Sequence, residues 1–136
     1  MSRDWVADIA AMHDHYGVHR SIEKFDGEKL RQFLEFRARF LQEELDELVR
    51  SESAEDVVDA LIDLCVVAIG TLDAFGVDAH TAWDEVLRAN MQKEVGVKPS
   101  RPNPLGLPDL VKPEGWVGPS HDGNHARLSE IDYGEK

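Results

Sequence analysis

A chain of 136 residues is sized for one domain around one core. Apolar residues make up 42% and charged residues 31%, which is globular composition and not that of a disordered chain. Fifteen Lys and Arg against 27 Asp and Glu leave a net charge of −12, which argues against a nucleic-acid polymer or an anionic membrane surface as partner.

The first predicted helix covers residues 4–16. Trp5, Ile9, Met12 and Tyr16 form one stripe along it, and Gly17 is placed to stop it. The second covers residues 26–50, with Asp26 as N-cap. Leu30, Phe33, Leu34, Phe40, Leu41, Leu45 and Leu48 recur along it at three- and four-residue spacing. The third covers residues 54–75, capped by Ser53 and stopped by Gly76. Beyond Asp63 it is apolar nearly all round, which predicts a central position. Only residues 51–53 separate the second and third helices, so the two are expected as antiparallel neighbours. The fourth covers residues 79–92, with Asp78 as N-cap and with Trp83, Val86, Leu87 and Met91 on its expected buried face.

No strand alternation appears in residues 1–95, and all six prolines lie between Pro99 and Pro119. The expected fold class is therefore all-α, an antiparallel four-helix bundle over residues 1–95. A Pro/Gly-rich extension, residues 96–136, is expected to pack on it, with polar residues 120–136 mobile. Cys65 is the single cysteine, so no intrachain disulfide forms, and it reads as core filler. That, and the lack of a signal-peptide core at the N-terminus, fits a cytoplasmic location. The longest strongly apolar run, residues 64–72, is too short to span a bilayer.

The chemistry concentrates between residues 43 and 63, where nine acids face a single cation, Arg50. Glu43, Glu44 and Glu47 share a face of the second helix through i,i+3 and i,i+4 spacing. Asp59 and Asp63 do the same on the third. Folding the hairpin about residue 51 or 52 brings the two acidic faces into one groove. Carboxylates crowded there repel and lose hydration, a cost that a hard divalent cation offsets. Asp63 weighs most, because it interrupts an apolar run where a structural core would place another hydrophobe. For Asp46, Glu52 and Glu55 a solvated helix face explains the charge.

The six histidines give no shared face: His13, His15 and His19 cluster by number only. No Glu-x-x-His, Gly-rich phosphate loop or Gly-x-Ser-x-Gly is present.

The acidic pattern resembles that of the MazG-like nucleoside triphosphate pyrophosphohydrolases, the all-α superfamily that includes phosphoribosyl-ATP pyrophosphohydrolase. Glu44-Leu-Asp-Glu47 matches their Glu-x-x-Glu. Asp63 matches the end of their Glu-x-x-Asp, but Ala60 stands where the glutamate is expected, and Asp59 is its substitute. Met12-His-Asp-His-Tyr-Gly17, Ile69-Gly-Thr-Leu72, Arg88-Ala-Asn-Met-Gln-Lys93 and Lys112-Pro-Glu-Gly-Trp116 resemble segments of a phage and bacterial branch of that group.

The resemblance implies hydrolysis of a nucleoside triphosphate between the α and β phosphates, with Mg²⁺ or Mn²⁺ as cofactor. By that analogy Glu44, Glu47, Asp59 and Asp63 are metal ligands, and Glu43 orients or deprotonates the water alongside Glu44. Asn90, Lys93 and Arg37 are candidate substrate contacts, although Lys93 also suits a helix C-terminus and Arg37 also reads as a surface arginine. Trp116 reads as a staple for the extension, with base stacking as the other use of its ring. The resemblance further implies a homodimer or homotetramer. Two other readings stand beside it: a phosphoribosyl-ATP-like substrate, and a non-catalytic acidic helical module for binding or oligomerisation.

Overall fold

The computed structural model describes residues 3–100, 105–106 and 109–134. Pro102, Pro104 and Pro108 of the proline-rich stretch lie outside them, as do the first two and last two residues. In chain order the elements are α1 (Trp5–His15), α2 (Val18–Glu23), α3 (Gly27–Val49), α4 (Ala54–Phe75) and α5 (Ala79–Met91). Strands β1 (Glu94–Gly96) and β2 (Asp109–Val111) follow, then a 3-10 turn (Ala126–Glu130). The all-α class holds, with a two-stranded ribbon added. Among the described residues no helix is long and apolar enough to cross a membrane.

Local chemistry explains the boundaries. Asp4 caps α1 by accepting from the Ala7 N–H at 3.0 Å, and Asp26 caps α3 by accepting from Lys29 at 3.0 Å. The Ser53 hydroxyl accepts from Asp56 N–H at 3.1 Å to start α4. Gly76, at φ 81°, ends α4 in the left-handed region, and Gly17, at φ 76°, turns the chain from α1 into α2. Short α2 is too brief to carry a periodicity of its own, so the sequence pattern assigns no element to residues 18–23.

The chain divides into two compact units: residues 1–79 with 123–136, and residues 80–122. In the first, α4 packs against α1, α2, α3 and the 3-10 turn, the central position its composition predicts. The core there joins Ile22, Leu30, Ala74, Phe75 and Ile131, with Phe25, Phe33, Val77 and Leu128 packed around it.

Residues 123–134 are tied to the first unit. Ile131 is buried, and Arg127 donates to the carbonyls of Ile22 and Phe25, both at 2.6 Å. Asn124 exchanges hydrogen bonds with the Asp78 backbone, accepting from N–H and donating to C=O. One apolar side chain and these polar anchors outweigh the polar composition that suggests mobility. The compact units divide after Ala79, and the residues from Gly123 onward belong to the first unit.

The second unit holds α5 from His80 onward and the antiparallel ribbon, in which Val95 pairs with Leu110. The Trp116 indole N–H donates to the Ala89 carbonyl at 2.7 Å, while the Lys93 and Lys112 ammonium groups sit 5.4 and 5.0 Å from its ring. Arg88 reaches the Gly118 carbonyl at 3.2 Å, and Glu85 accepts from Ser120 N–H at 3.0 Å. That backbone bond, with help from Arg88, holds the Glu85 carboxyl below its usual range.

Several buried-face expectations are overturned. On α1, Ile9 and His13 are buried, whereas Trp5, Met12 and Tyr16 are exposed. On α5, Ala89 is buried, while Trp83, Val86, Leu87 and Met91 are exposed. Cys65 is exposed rather than core filler. The physical reason is the same in each case. Apolar periodicity finds a helix face but does not say whether the neighbour covering it lies within the same chain.

Candidate active site

Antiparallel α3 and α4 carry the acidic groups, and the link of residues 51–53 sets their register. Glu44 on α3 is buried, with 9% of its surface exposed. Glu47, one turn on, is exposed, and Asp63 on α4 is half-buried. Oxygens of these three carboxylates all lie within 4.8 Å of one another. Glu44 Oε2 is buried and has no hydrogen-bond partner. Beside the cluster a cavity of about 250 Å³ is lined by Glu47, Arg50, Ser51, Asp56, Asp59 and Ala60.

Burial pushes the Glu44 carboxyl above its ordinary range. The charges of Glu47 and Asp63, a hydrogen bond with Glu47, and the charge of Asp59 add to the rise. Asp63 is raised as well, first by burial and then by Asp59 and Glu47. Asp59 stands outside the three-carboxylate group but close enough for its charge to act on both. Ala60, where the family pattern has glutamate, is buried, with Asp59 exposed one position before it. Glu43 is exposed and also outside the group.

These shifts have a consequence for stability. Both carboxyls are raised, so between their ordinary and raised values the folded state holds more protons than the unfolded state. Stability from these groups is therefore present at low pH and is lost as pH rises through that window. In EDTA, thermal melts from about pH 5 to about pH 8 are expected to show a steeper loss of Tm for the wild type than for Glu44→Gln. Parallel slopes would refute this.

The structure gives Arg37 a role inside the bundle. Its Nε donates to Thr71 Oγ1 and its Nη2 to the Val67 carbonyl, both at 3.0 Å, and the guanidinium lies over Phe33 and Phe40. Burial lowers its pKa. These bonds hold α3 against α4. Asn90 and Lys93 belong to the second unit. Asn90 is exposed, and its carbonyl accepts from the Lys93 backbone N–H at 3.1 Å.

One constellation escapes the sequence pattern. His13 from α1 and His19 from α2 meet at Asp73 of α4, a group whose donors also lie within 4.8 Å of one another. The turn at Gly17 folds α2 back toward α1, so two histidines with no common helix face converge. Only the spacing of His13 and His19 around a glycine hints at it.

The family model described as phosphoribosyl-ATP pyrophosphohydrolase matches residues 19–90, just over half of the chain. The chain belongs to that family. It thereby falls within the MazG-like nucleoside triphosphate pyrophosphatase superfamily, and a pyrophosphohydrolase-type activity on nucleotides follows at family level. No curated protein and no solved structure gives a match. The matched span contains Glu43, Glu44, Glu47, Asp59 and Asp63 and ends at Asn90, leaving His13, Lys93 and Trp116 outside it. The phosphoribosyl-ATP pyrophosphohydrolase family is typically divalent-metal dependent. The donor set here fits such a cation: all oxygen, drawn from two facing helices, with one buried carboxylate oxygen unpaired.

Proposed function

We propose that this pyrophosphohydrolase hydrolyses a nucleoside triphosphate, with deoxynucleotides included, at the α–β phosphate bond. The products are a nucleoside monophosphate and pyrophosphate, and the role is nucleotide-pool housekeeping. The observation that carries the reading is the convergence of Glu44, Glu47 and Asp63 on adjacent helices, with a buried Glu44 oxygen unpaired. Mg²⁺, or Mn²⁺ in its place, supplies neutralisation of the phosphate charge and activation of a bound water.

Glu44, Glu47 and Asp63 would hold that cation, with Asp59 a fourth carboxylate from the edge of the cluster. In this reading Glu43, exposed next to Glu44 in sequence, orients the attacking water or takes its proton. Burial of Glu44 keeps competing water away from its unpaired oxygen. In this reading Asn90 and Lys93 contact the substrate. A cytoplasmic location suits such a role.

The family description favours one second reading, a phosphoribosyl-ATP-like substrate cut to release pyrophosphate. Both are tested together by incubating the protein with ribo- and deoxynucleoside triphosphates and phosphoribosyl-ATP, with Mg²⁺ or with EDTA. Monophosphate and pyrophosphate appearing only with metal is the expected result. Diphosphate and orthophosphate would reject the bond assignment, and no turnover on any of them would favour a binding module.

The reading includes a second copy of the chain. Val57, Val58, Leu61 and Ile62 are exposed along α4, with Leu45 and Val49 exposed on α3. An apolar run of that kind on adjacent helices suits self-association. Sedimentation equilibrium is expected to give twice or four times the 15.3 kDa chain mass, and Leu61→Glu to shift it toward that of a single chain. A wild-type mass of 15.3 kDa at micromolar concentration would reject the assembly.

A further inference from the structure

We propose that His13, His19 and Asp73 form a second cation site, distinct from the acidic one, selective for a borderline transition-metal ion of the Zn²⁺ class. His13 Nδ1 and His19 Nε2 each lie 2.7 Å from Asp73 Oδ2. The two rings stand nearly perpendicular, at 82° with centroids 5.9 Å apart, so their nitrogens converge instead of stacking. Three different helices, α1, α2 and α4, supply the three donors, so the fold itself assembles the group.

Gly70 makes room for it. A Cβ there would sit 3.2 Å from His13 Cε1 and 3.3 Å from Nε2, tighter than ordinary contact. Any larger residue would make the imidazole give by a few tenths of an ångström and would also meet Arg37 Nη2 at 2.6 Å.

Two imidazole nitrogens and one carboxylate oxygen are the donor types that Zn²⁺ and its neighbours favour, while all-oxygen sets favour Mg²⁺. Drawing the three donors onto an ion at about 2.0–2.2 Å needs side-chain shifts of roughly an ångström or less. The neutral rings then carry their protons on the opposite nitrogens. For His19 that is Nδ1, which lies 3.9 Å from Asp14 Oδ1. That is too long for a hydrogen bond, so Asp14 contributes only a nearby negative charge on the solvent side.

Access is built in as well. His13 and Asp73 are nearly buried, while His19 is 38% exposed. His19 and Asp73 line an open groove of about 540 Å³ together with Glu23 and Arg127. An ion enters from that side and keeps a coordination position for water. Asp73 lies ten residues beyond Asp63 on α4, about 15 Å along the helix at 1.5 Å per residue, which keeps the two sites apart.

The test is a Co²⁺ titration of the full-length protein in excess Mg²⁺, which occupies the acidic cluster, followed by visible ligand-field absorbance. The wild type and Asp63→Asn are expected to bind equimolar Co²⁺ with the absorbance of nitrogen ligation. His19→Gln is expected to bind at least tenfold more weakly. His19 is half-exposed, so that variant should fold where a change at buried His13 need not, and circular dichroism checks this. Unchanged Co²⁺ affinity in His19→Gln would overturn the proposal. So would absorbance lost in Asp63→Asn but kept in His19→Gln, or no Co²⁺ bound at all, which would leave a hydrogen-bonded His–Asp–His packing contact. None of these readouts depends on hydrolase activity, so failure here and failure of the proposed function are separable.

Discussion

Asp63→Asn is expected to lower kcat/KM for nucleotide hydrolysis by at least about 100-fold, since even outer partners of metal ligands typically contribute ten- to hundredfold. The side chain keeps its size, and the apolar run around it is untouched, so the fold should survive. Stability in EDTA is expected to rise. Asp63 carries a carboxyl pushed upward by burial and by Asp59 and Glu47, and an amide removes that repulsion. Relief of ~1 kcal/mol corresponds to a Tm increase of about 3–5 °C for a chain of this size.

Mg²⁺ should stabilise the wild type far more than the variant. At 100 times Kd a cation stabilises the wild type by ~2.7 kcal/mol, and most of that disappears when affinity falls 100-fold. Calorimetry with and without Mg²⁺, alongside initial rates, gives all three quantities. Full turnover in Asp63→Asn would sink both the metal assignment and the catalytic reading. Lost turnover with an unchanged Mg²⁺ response would move Asp63 from cation binding to another part of the reaction.

Phe75→Ala is expected to be the most damaging single truncation for stability, by about 3–5 kcal/mol. Phe75 is fully buried at the end of α4, with its ring 5.6 Å from that of Phe33. Its cluster joins Leu30 of α3, Ile22 of α2 and Ile131 near the C-terminus. A loss of that size is a large part of the ~5–15 kcal/mol that holds a domain folded. It should lower Tm by roughly 10–20 °C. Urea denaturation should show the shift in midpoint. Residues 123–134 should also become the first protease-sensitive segment, because Ile131 and Leu128 lose their packing partner. A midpoint shift worth less than ~1 kcal/mol would mean that this end of α4 does not anchor the C-terminal return.

The long helices are legible in the amino-acid sequence because their signals are local. Capping residues Asp4, Asp26 and Ser53 act within one turn, and Gly76 needs only its own backbone freedom to end α4. The acidic pairing is legible for a related reason. A three-residue link leaves two long helices little choice but to lie antiparallel, so i,i+3 spacing on one meets i,i+4 spacing on the other. Short α2, the ribbon of β1 and β2, and the 3-10 turn carry no such repeating signal and depend on contacts distant in sequence.

Burial follows a similar division. The exposure of Trp83, Val86, Leu87 and Met91, and that of Cys65, cannot be read from periodicity, because a helix face is apolar whether its cover is the same chain or another molecule. Position along α3, two turns before Glu44, suggests a phosphate contact for Arg37. The hydrogen-bond partners it has, Thr71 and Val67, lie some thirty residues away on α4, and only packing brings them together.

The sequence by itself determined the helical class, the α3–α4 hairpin and the identity of the facing carboxylates, because spacing, capping and a short link act over a few residues. Tertiary structure alone decided that Glu44 is buried with an unpaired oxygen, that Ile131 and Arg127 tie the end of the chain into the core, and that His13 and His19 meet at Asp73. Each of those depends on how several elements pack at once, and desolvation and convergence of donors come into being only when they do.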